Sequence, residues 1–328
     1  MSARLRGIAR ETEEAVAAGA YRTPDGREIP LAAAIGAARE GTRMVGPDPV
    51  PVPETVRRTA AETVRERAAD AVRDTAAETV RDTAADTVRR TVPDGVRGTI
   101  SVTAPAEPRI EVTGESSLEA ARRLADAPVA ALNFASARNP GGGYLNGAQA
   151  QEEALCRGSA LYTCLLRAPE FYDYHRAHRD PFYTDRVIHS PAVPVFRDDR
   201  GRFLPEPYTA GFLTAAAPNA GVVLRTAPER ASELPRALAV RAERVLETAA
   251  AHGYRRLVLG AWGCGVFRND PVQVAGAFRS LLGPGGRFER TFAHVVFGVL
   301  DRTPGSAVRE AFARAFPKAA APQPDVSG

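Results

Sequence analysis

The chain has 328 residues, of which 43 are Lys or Arg and 39 are Asp or Glu, so its formal net charge is +4. A hydrophobic fraction of 44% is typical of a globular protein with a buried core and argues against a disordered chain. Three cysteines exclude a disulfide scaffold, and no cysteine–histidine spacing indicates a zinc site. Without a signal-peptide core or a membrane-spanning apolar run, we expect a cytoplasmic protein that needs no metal.

The amino-terminal residues predict two helices. Leu5 and Val16 would share one face of the first helix, and residues 31–38 fit a second, shorter helix. We expect residues 1–46 to form an N-terminal helical accessory part. A segment in which prolines alternate with other residues follows it and predicts an extended linker.

An internal repeat with a period of eight residues comes next, in which Val-Arg recurs from Val56 to Val96. An octad advances the helical phase by about 80° beyond two turns, so the valines would spiral around a helix, which excludes a heptad coiled coil. Its arginines and acidic residues balance, which favours a solvated, low-complexity insertion over a binding arm. The linker and the repeat together form residues 47–107.

Strand and helix patterns alternate in the remainder of the chain. Such alternation predicts an α/β fold with a largely buried sheet in residues 108–317, followed by a disordered tail at residues 318–328. The predicted strands are residues 110–113, 129–134, 187–190, 256–261 and 292–300, and the predicted helices are residues 116–125, 149–166, 231–252, 271–282 and 306–316.

The candidate chemistry begins in a loop with three consecutive glycines, residues 141–143, between a predicted strand and a predicted helix. Glycines lack Cβ atoms, so the backbone can lie against a ligand and direct its N–H groups toward an anion such as a pyrophosphate. The spacing fits neither the P-loop nor the dinucleotide-binding fingerprint. The tripeptide Gln151-Glu152-Glu153 follows at the mouth of the next helix.

A second glycine-rich loop, residues 260–267, follows the predicted strand 256–261 and precedes the predicted helix 271–282. Two such loops at the ends of strands could hold a diphosphate between them, with the paired carboxylates at one end.

These motifs carry a resemblance. Gly-Gly-Gly, a short spacer and Gln-Glu-Glu resemble the catalytic signature of the poly(ADP-ribose) glycohydrolases, and Gly265-Val266-Phe267 is similar to that family's phosphate loop and its aromatic residue. The N-terminal helices and several later segments resemble the compact microbial branch. The resemblance covers residues 1–46 and 108–316, and the octad insertion is the main departure from it.

The resemblance implies a macrodomain, an α/β fold with a mixed, mostly parallel sheet flanked by helices, which binds ADP-ribose at the strand ends. It implies that Glu153 is the catalytic acid and that Glu152 holds the ribose hydroxyls beside the scissile bond. It implies no cofactor. The implied substrate contacts are Asn139, Gly141, Gly142, Gly143, Gln151, Gly263, Cys264, Gly265, Val266 and Phe267, the last packing on a ribose.

The implied reaction is hydrolysis of the 1″→2′ ribose–ribose O-glycosidic bond, with poly(ADP-ribose) or ADP-ribosylated protein as the partner and ADP-ribose as the product. Glu153 would protonate the departing oxygen and then act as base on water. We expect Glu152 and Glu153 to titrate as a coupled pair. Neither a membrane nor DNA is an expected partner. Two alternatives remain open: a reader that binds ADP-ribose without cutting it, and a hydrolase of mono-ADP-ribosylated protein.

Other reactive side chains are interpreted as structural. Cys264 lies among glycines, but no histidine motif ties a base to its loop, so we expect a bystander. Trp262 is expected in the core. His175 and His178 have a spacing found among metal ligands, but without acidic or cysteine partners they predict a surface helix.

Overall fold

The amino-terminal segment folds as two helices joined by a hairpin, in a computed structural model that describes residues 2–51 and 108–317. The first helix begins where the Ser2 hydroxyl accepts a hydrogen bond from the Leu5 N–H, and it ends at Gly19, which has a φ of 68°. Both predicted helices are confirmed, whereas the strands were not predicted, because three-residue strands carry little periodicity. The elements are α1 (Ala3–Ala18), β1 (Ala20–Arg22), β2 (Glu28–Pro30), α2 (Ala32–Gly41) and β3 (Arg43–Val45).

The second described segment alternates strands and helices. The octad repeat and the predicted tail lie outside the described residues. The strands are β4 (Arg109–Thr113), β5 (Val129–Phe134), β6 (Val187–Arg197), β7 (Phe203–Ala215), β8 (Arg256–Leu259) and β9 (His294–Gly298), and the helices are α3 (Ser117–Arg123), α4 (Gln151–Gly158), α5 (Leu161–Leu165), α6 (Pro169–Ala177), α7 (Ala220–Thr226), α8 (Leu234–Ala251), α9 (Pro271–Leu282) and α10 (Ala307–Ala315).

Seven strands form one mixed sheet in the order β3-β6-β7-β5-β8-β9-β4. The five strands from β7 to β4 in this order run parallel, and β6 pairs antiparallel with β3 and β7. The predicted fold, a mostly parallel sheet flanked by helices, is confirmed. Strand β3 pairs with β6 at one edge of the sheet, so the N-terminal segment contributes to the same sheet as the residues after 108.

Helices cover both faces of the sheet, and the central strand β5 is buried on both sides. Ala131 packs in one apolar cluster with residues of helices α1 to α6. Its neighbours Ala130 and Leu132 pack in a second cluster with residues of α8, α9 and α10. Burial on both faces accounts for the continuous apolar run of this strand. Within residues 2–51 and 108–317, no helix is long and apolar enough to cross a membrane.

Two predicted elements of this segment differ substantially from the structure, and two observed elements, β7 and α7, were not predicted. The single helix predicted over residues 149–166 is interrupted at Ser159, which is extended and forms an isolated bridge with Val195. Strand β6 continues past the predicted end at residue 190, and β7 was not predicted. Both strands contain prolines, which weaken a strand pattern, and β6 has a register shift between Ser190 and Val193.

Candidate active site

Gln151 joins the start of α4 to the end of β5. Its Oε1 accepts a hydrogen bond from the Phe134 N–H (2.9 Å), and its Nε2 donates to the Leu132 carbonyl (2.8 Å) and to Ser117 Oγ (3.0 Å). These bonds place the first turn of α4 directly beside the carboxyl end of the strand. Both polar atoms of the side chain are engaged by the protein, and the predicted substrate contact of Gln151 stays a prediction.

Glu152 is buried, with 3% of its surface exposed. Its Oε2 accepts a hydrogen bond from the Ser136 N–H (2.7 Å), and its Oε1 accepts one from Asn133 Nδ2 (3.2 Å). Burial raises the pKa of Glu152 to about 8, and the charge of Glu153 acts in the same direction. The two hydrogen bonds oppose this rise without cancelling it. Burial thus favours the protonated form of Glu152 near neutral pH.

Asn133 is a site residue that the sequence motifs did not reveal. It is fully buried near the carboxyl end of β5, and its Nδ2 also lies 3.1 Å from Thr214 Oγ1. Its Oδ1 has no hydrogen-bond partner within the described ranges. The sequence did contain a signal for Asn133, since it is the one polar residue in the apolar run Val-Ala-Ala-Leu-Asn-Phe. A polar side chain in a buried strand usually has a hydrogen-bond partner and therefore marks a place to search for one.

Glu153 lies against the triple-glycine loop. Its Oε1 accepts a hydrogen bond from the Gly143 N–H (2.9 Å), the single hydrogen bond to its carboxylate from the part of the chain that the structure describes. A Cβ atom on Gly142 would lie 2.5 Å from Glu153 Oε1 and 3.1 Å from Glu152 Oε2. The two carboxylates thus fill the space that a side chain at position 142 would need. Consecutive helical residues point in different directions, so both reach one loop because they lie in the first turn of α4.

The loop is shaped by left-handed glycine conformations. Gly141 and Gly142 have φ values of 65° and 59°, which favour glycine over any residue with a side chain. Asn139 is exposed at the start of the loop, and its carbonyl accepts a hydrogen bond from the Gly142 N–H (3.0 Å). Asn139 and the three predicted glycines therefore form one turn, and its last residue, Gly143, contacts Glu153.

The second predicted loop lies at the same edge of the sheet, because β5 and β8 are parallel neighbours and both loops follow their carboxyl ends. Gly263 has a φ of 72°, and a Cβ atom there would lie 2.4 Å from Asn269 Nδ2. Buried Asn269, which the motifs did not reveal, donates to the carbonyls of Pro218 (2.8 Å) and Gly263 (3.2 Å) and fastens the loop. Its tip, Gly265 and Val266, is exposed.

Two side chains of this loop are structural. Trp262 is 1% exposed and its indole N–H donates to the Ala215 carbonyl (3.0 Å), which confirms its predicted place in the core. Burial raises the pKa of the Cys264 thiol to about 12. A thiol that keeps its proton at neutral pH is a poor nucleophile, which supports the interpretation of Cys264 as a bystander to the chemistry.

Phe267 is half-buried beside Tyr183, with ring centroids 5.8 Å apart. Tyr183 has a φ of 57°, and its ring meets the His175 ring edge-on at 5.6 Å. The helix predicted around His175 and His178 is present as α6, but its predicted surface position is wrong for His175, which is fully buried. Burial lowers the pKa of His175 to about 4, so this ring is neutral and bonded to Thr184 Oγ1 (2.8 Å).

Residues 9–198 match the family model described as the catalytic domain of microbial-type PARG, that is, poly(ADP-ribose) glycohydrolase. The chain belongs to this family. Membership agrees with the observed arrangement, in which two adjacent glutamates at the start of a helix face a triple-glycine loop. No curated protein matches the chain.

Solved glycohydrolase structures are similar over nearly the whole chain. The enzyme of Thermomonospora curvata bound to the inhibitor ADP-HPD is 44% identical, with a TM-score of 0.74, and the match covers 96% of this chain and 100% of that one. The enzyme of Deinococcus radiodurans in complex with ADP-ribose is 41% identical, with a TM-score of 0.66, and the match covers 87% of this chain and 98% of that one.

Proposed function

We propose that this chain hydrolyses the 1″→2′ ribose–ribose O-glycosidic bond of poly(ADP-ribose) and releases ADP-ribose. The observation that carries the proposal is the pair Glu152 and Glu153, both buried at the start of α4 and held by backbone N–H groups of the preceding loop. Burying two neighbouring carboxylates is costly unless they do chemistry or bind a ligand. The solved glycohydrolases in complex with ADP-ribose or ADP-HPD support the same substrate class.

Glu153 is the general acid and base in this proposal. It donates a proton to the departing ribose oxygen and then accepts one from the water that attacks the oxocarbenium-like ribose. The Gly143 N–H fixes one of its oxygens and so orients the carboxylate. Burial and the neighbouring charge of Glu153 both raise the pKa of Glu152, so the pair retains a proton on Glu152 near neutral pH. A bound diphosphate would favour that proton further.

The remaining residues bind the substrate. Glu152 holds the ribose hydroxyls next to the scissile bond, and Asn139 contacts the ribose. The glycines of both loops let the backbone lie along the diphosphate, since they carry no side chain that would hold it away. The backbone segments in contact with the diphosphate are Gly141, Gly142 and Gly143 on one side and Gly263, Cys264, Gly265 and Val266 on the other, with Phe267 packing on a ribose.

The test is release of ADP-ribose from poly(ADP-ribose) by the full chain and by Glu153→Gln, with calorimetric binding of ADP-ribose to both. We expect the substitution to lower kcat by about 10²–10⁴-fold, because general acid–base catalysis contributes that much, and to leave ADP-ribose binding nearly unchanged. Glu14→Gln, at an exposed position of α1, is the matched control and should behave as wild type.

Two outcomes would reject the proposal. A wild-type chain that binds ADP-ribose without releasing it from polymer would be a reader. A chain that cleaves singly modified protein and leaves polymer intact would be a mono-ADP-ribosyl hydrolase.

A further inference from the structure

Helix α1 contacts the loop–helix unit that carries Glu152 and Glu153. One contact precedes this pair in the sequence, and another follows it. Before the pair, the Ser2 N–H at the start of α1 donates to the Gly147 carbonyl (3.0 Å). After the pair, Thr12 Oγ1 donates to the Arg157 carbonyl (2.9 Å), and both residues are buried. An N-terminal helix that follows this unit along its length can hold the unit in place.

The contact nearest to the chemistry is made by Tyr144. This residue directly follows Gly143, whose N–H holds Glu153, and it is 1% exposed. Its hydroxyl lies 2.9 Å from Glu13 Oε1 and 3.2 Å from the Ala9 carbonyl, both on α1. Glu13 is half-buried in this contact, and burial raises the pKa of its carboxyl group. Tyr144 and Gly143, which are neighbours in the chain, therefore connect Glu13 to Glu153, the proposed catalytic acid.

We infer that Glu13 is a positioning residue for the hydrolysis, which acts through Tyr144 on the glycine loop that orients Glu153. The inference rests on the proposed function, since its readout is glycosidic hydrolysis. The Tyr144 N–H donates to the Gly141 carbonyl (3.0 Å), so the backbone of Tyr144 also closes the glycine turn. A shift of the Tyr144 ring would thus move the Gly143 N–H relative to Glu153, and small displacements of a catalytic group cost rate.

The residues of α1 offer matched variants. Glu13→Gln keeps an oxygen that can accept the Tyr144 hydrogen bond, whereas Glu13→Ala removes this closer acceptor and leaves the Ala9 carbonyl at 3.2 Å. Glu14 is the next residue on the same helix, but it is exposed and pairs with exposed Arg10 at 3.5 Å. Glu14→Ala therefore removes a carboxylate of α1 without touching the loop.

The experiment measures steady-state hydrolysis of poly(ADP-ribose) by the full chain well below the unfolding temperature of each variant. We expect Glu13→Ala to lower kcat about tenfold while KM changes less than about twofold, because an orientation that serves the transition state is lost and substrate binding is kept. Glu13→Gln should restore most of the rate, and Glu14→Ala should match wild type.

A double-mutant cycle identifies the route. Tyr144→Phe keeps the buried ring and removes the hydroxyl, so it also tests the inference if Glu13→Ala does not fold. We expect Tyr144→Phe to lower kcat, and the double variant with Glu13→Ala to lose no more than the stronger single variant. An unchanged kcat in Glu13→Ala with a lower Tm would reduce Glu13 to a packing role, and additive losses would exclude action through Tyr144. If the wild type releases no ADP-ribose, the proposed function itself fails.

Discussion

At the scale of single residues, neighbouring glutamates have different surroundings. Glu152 accepts hydrogen bonds from the Ser136 backbone and the Asn133 side chain, while Glu153 accepts one from the Gly143 backbone. The environment of a carboxylate, rather than its chemical type, sets its protonation and its task. The Oδ1 of Asn133, which has no partner among the described residues, suits this arrangement, because rotation of the amide would let it accept the proton of a neutral Glu152.

The raised pKa of Glu152 predicts a dependence of stability on pH. The carboxyl group ionises near its ordinary pKa of 4.5 when the chain is unfolded and near 8 when it is folded. Between these values unfolding releases a proton, so rising pH favours the unfolded state. We expect Glu152→Gln, which cannot ionise, to gain thermal stability over wild type between about pH 5 and pH 8, and the gain to level off above that range.

Thermal unfolding of both proteins across this pH range measures the difference. The glutamine amide can donate to Asn133 Oδ1 after rotation of that side chain, so the variant keeps a bonded site. Glu14→Gln is the exposed control and should follow the wild-type curve. A constant difference between Glu152→Gln and wild type at every pH would show that Glu152 does not titrate as the structure indicates.

At the scale of elements, the site depends on how closely the glycine loop approaches α4. Gly142 combines two demands: its φ of 59° favours glycine, and a Cβ atom would lie 2.5 Å from Glu153 Oε1. Only the second demand concerns the chemistry. Gly253, which follows α8, has a φ of 76°, but a Cβ atom there would have no neighbour within 4 Å among the described residues. A substitution at Gly253 therefore introduces the backbone strain without the contact with the site.

We expect Gly142→Ala to lower kcat for poly(ADP-ribose) at least about tenfold, because the new methyl group displaces Glu153 or the loop that orients it. Gly253→Ala should lose on the order of 1 kcal/mol of stability, the cost of a left-handed alanine without the clash, and keep its rate. Steady-state rates and Tm values of the two variants provide the measurement. Equal rates in both variants would show that the close approach at Gly142 is not needed.

At the scale of the whole molecule, the described residues nearest to segment 52–107 lie away from the catalytic loops. On its amino-terminal side, the Val50 N–H lies 3.3 Å from Glu247 Oε2 of α8, on the face of the sheet opposite α4. On its carboxyl-terminal side, Pro108 precedes the amino end of β4, an edge strand, whereas both site loops follow carboxyl ends. Both junctions therefore lie at a distance from the proposed chemistry.

Deletion of residues 54–96 should leave catalysis intact. We expect kcat for poly(ADP-ribose) to stay within about twofold of wild type, because no hydrogen bond that orients Glu152 or Glu153 comes from either junction. The assay compares the deleted and full chains at equal protein concentration. A large loss of kcat in a deleted chain with an unchanged Tm would assign the octad repeat a part in the reaction.

Patterns in contiguous residues were enough to predict the local features of the site. The run from β5 through the triple glycine to Gln151-Glu152-Glu153 is one strand–loop–helix unit, and its composition predicts its shape without knowledge of any distant residue. The parallel sheet followed similarly from alternating strands and helices. Since the carboxyl ends of parallel strands meet at one edge, the meeting of the two glycine loops was also predictable.

The distant residues that support the site could be identified only from the folded chain. Glu13 and Tyr144 are 131 positions apart, and Asn133 and Thr214 are 81 apart, so no local pattern links them. The edge strand β3, the break at Ser159 and the burial of His175 likewise depend on partners from other elements. Periodicity reports which face of a segment is apolar, but not what packs against that face. Pairing and burial are properties of the folded chain, and they place α1 beside the catalytic loop.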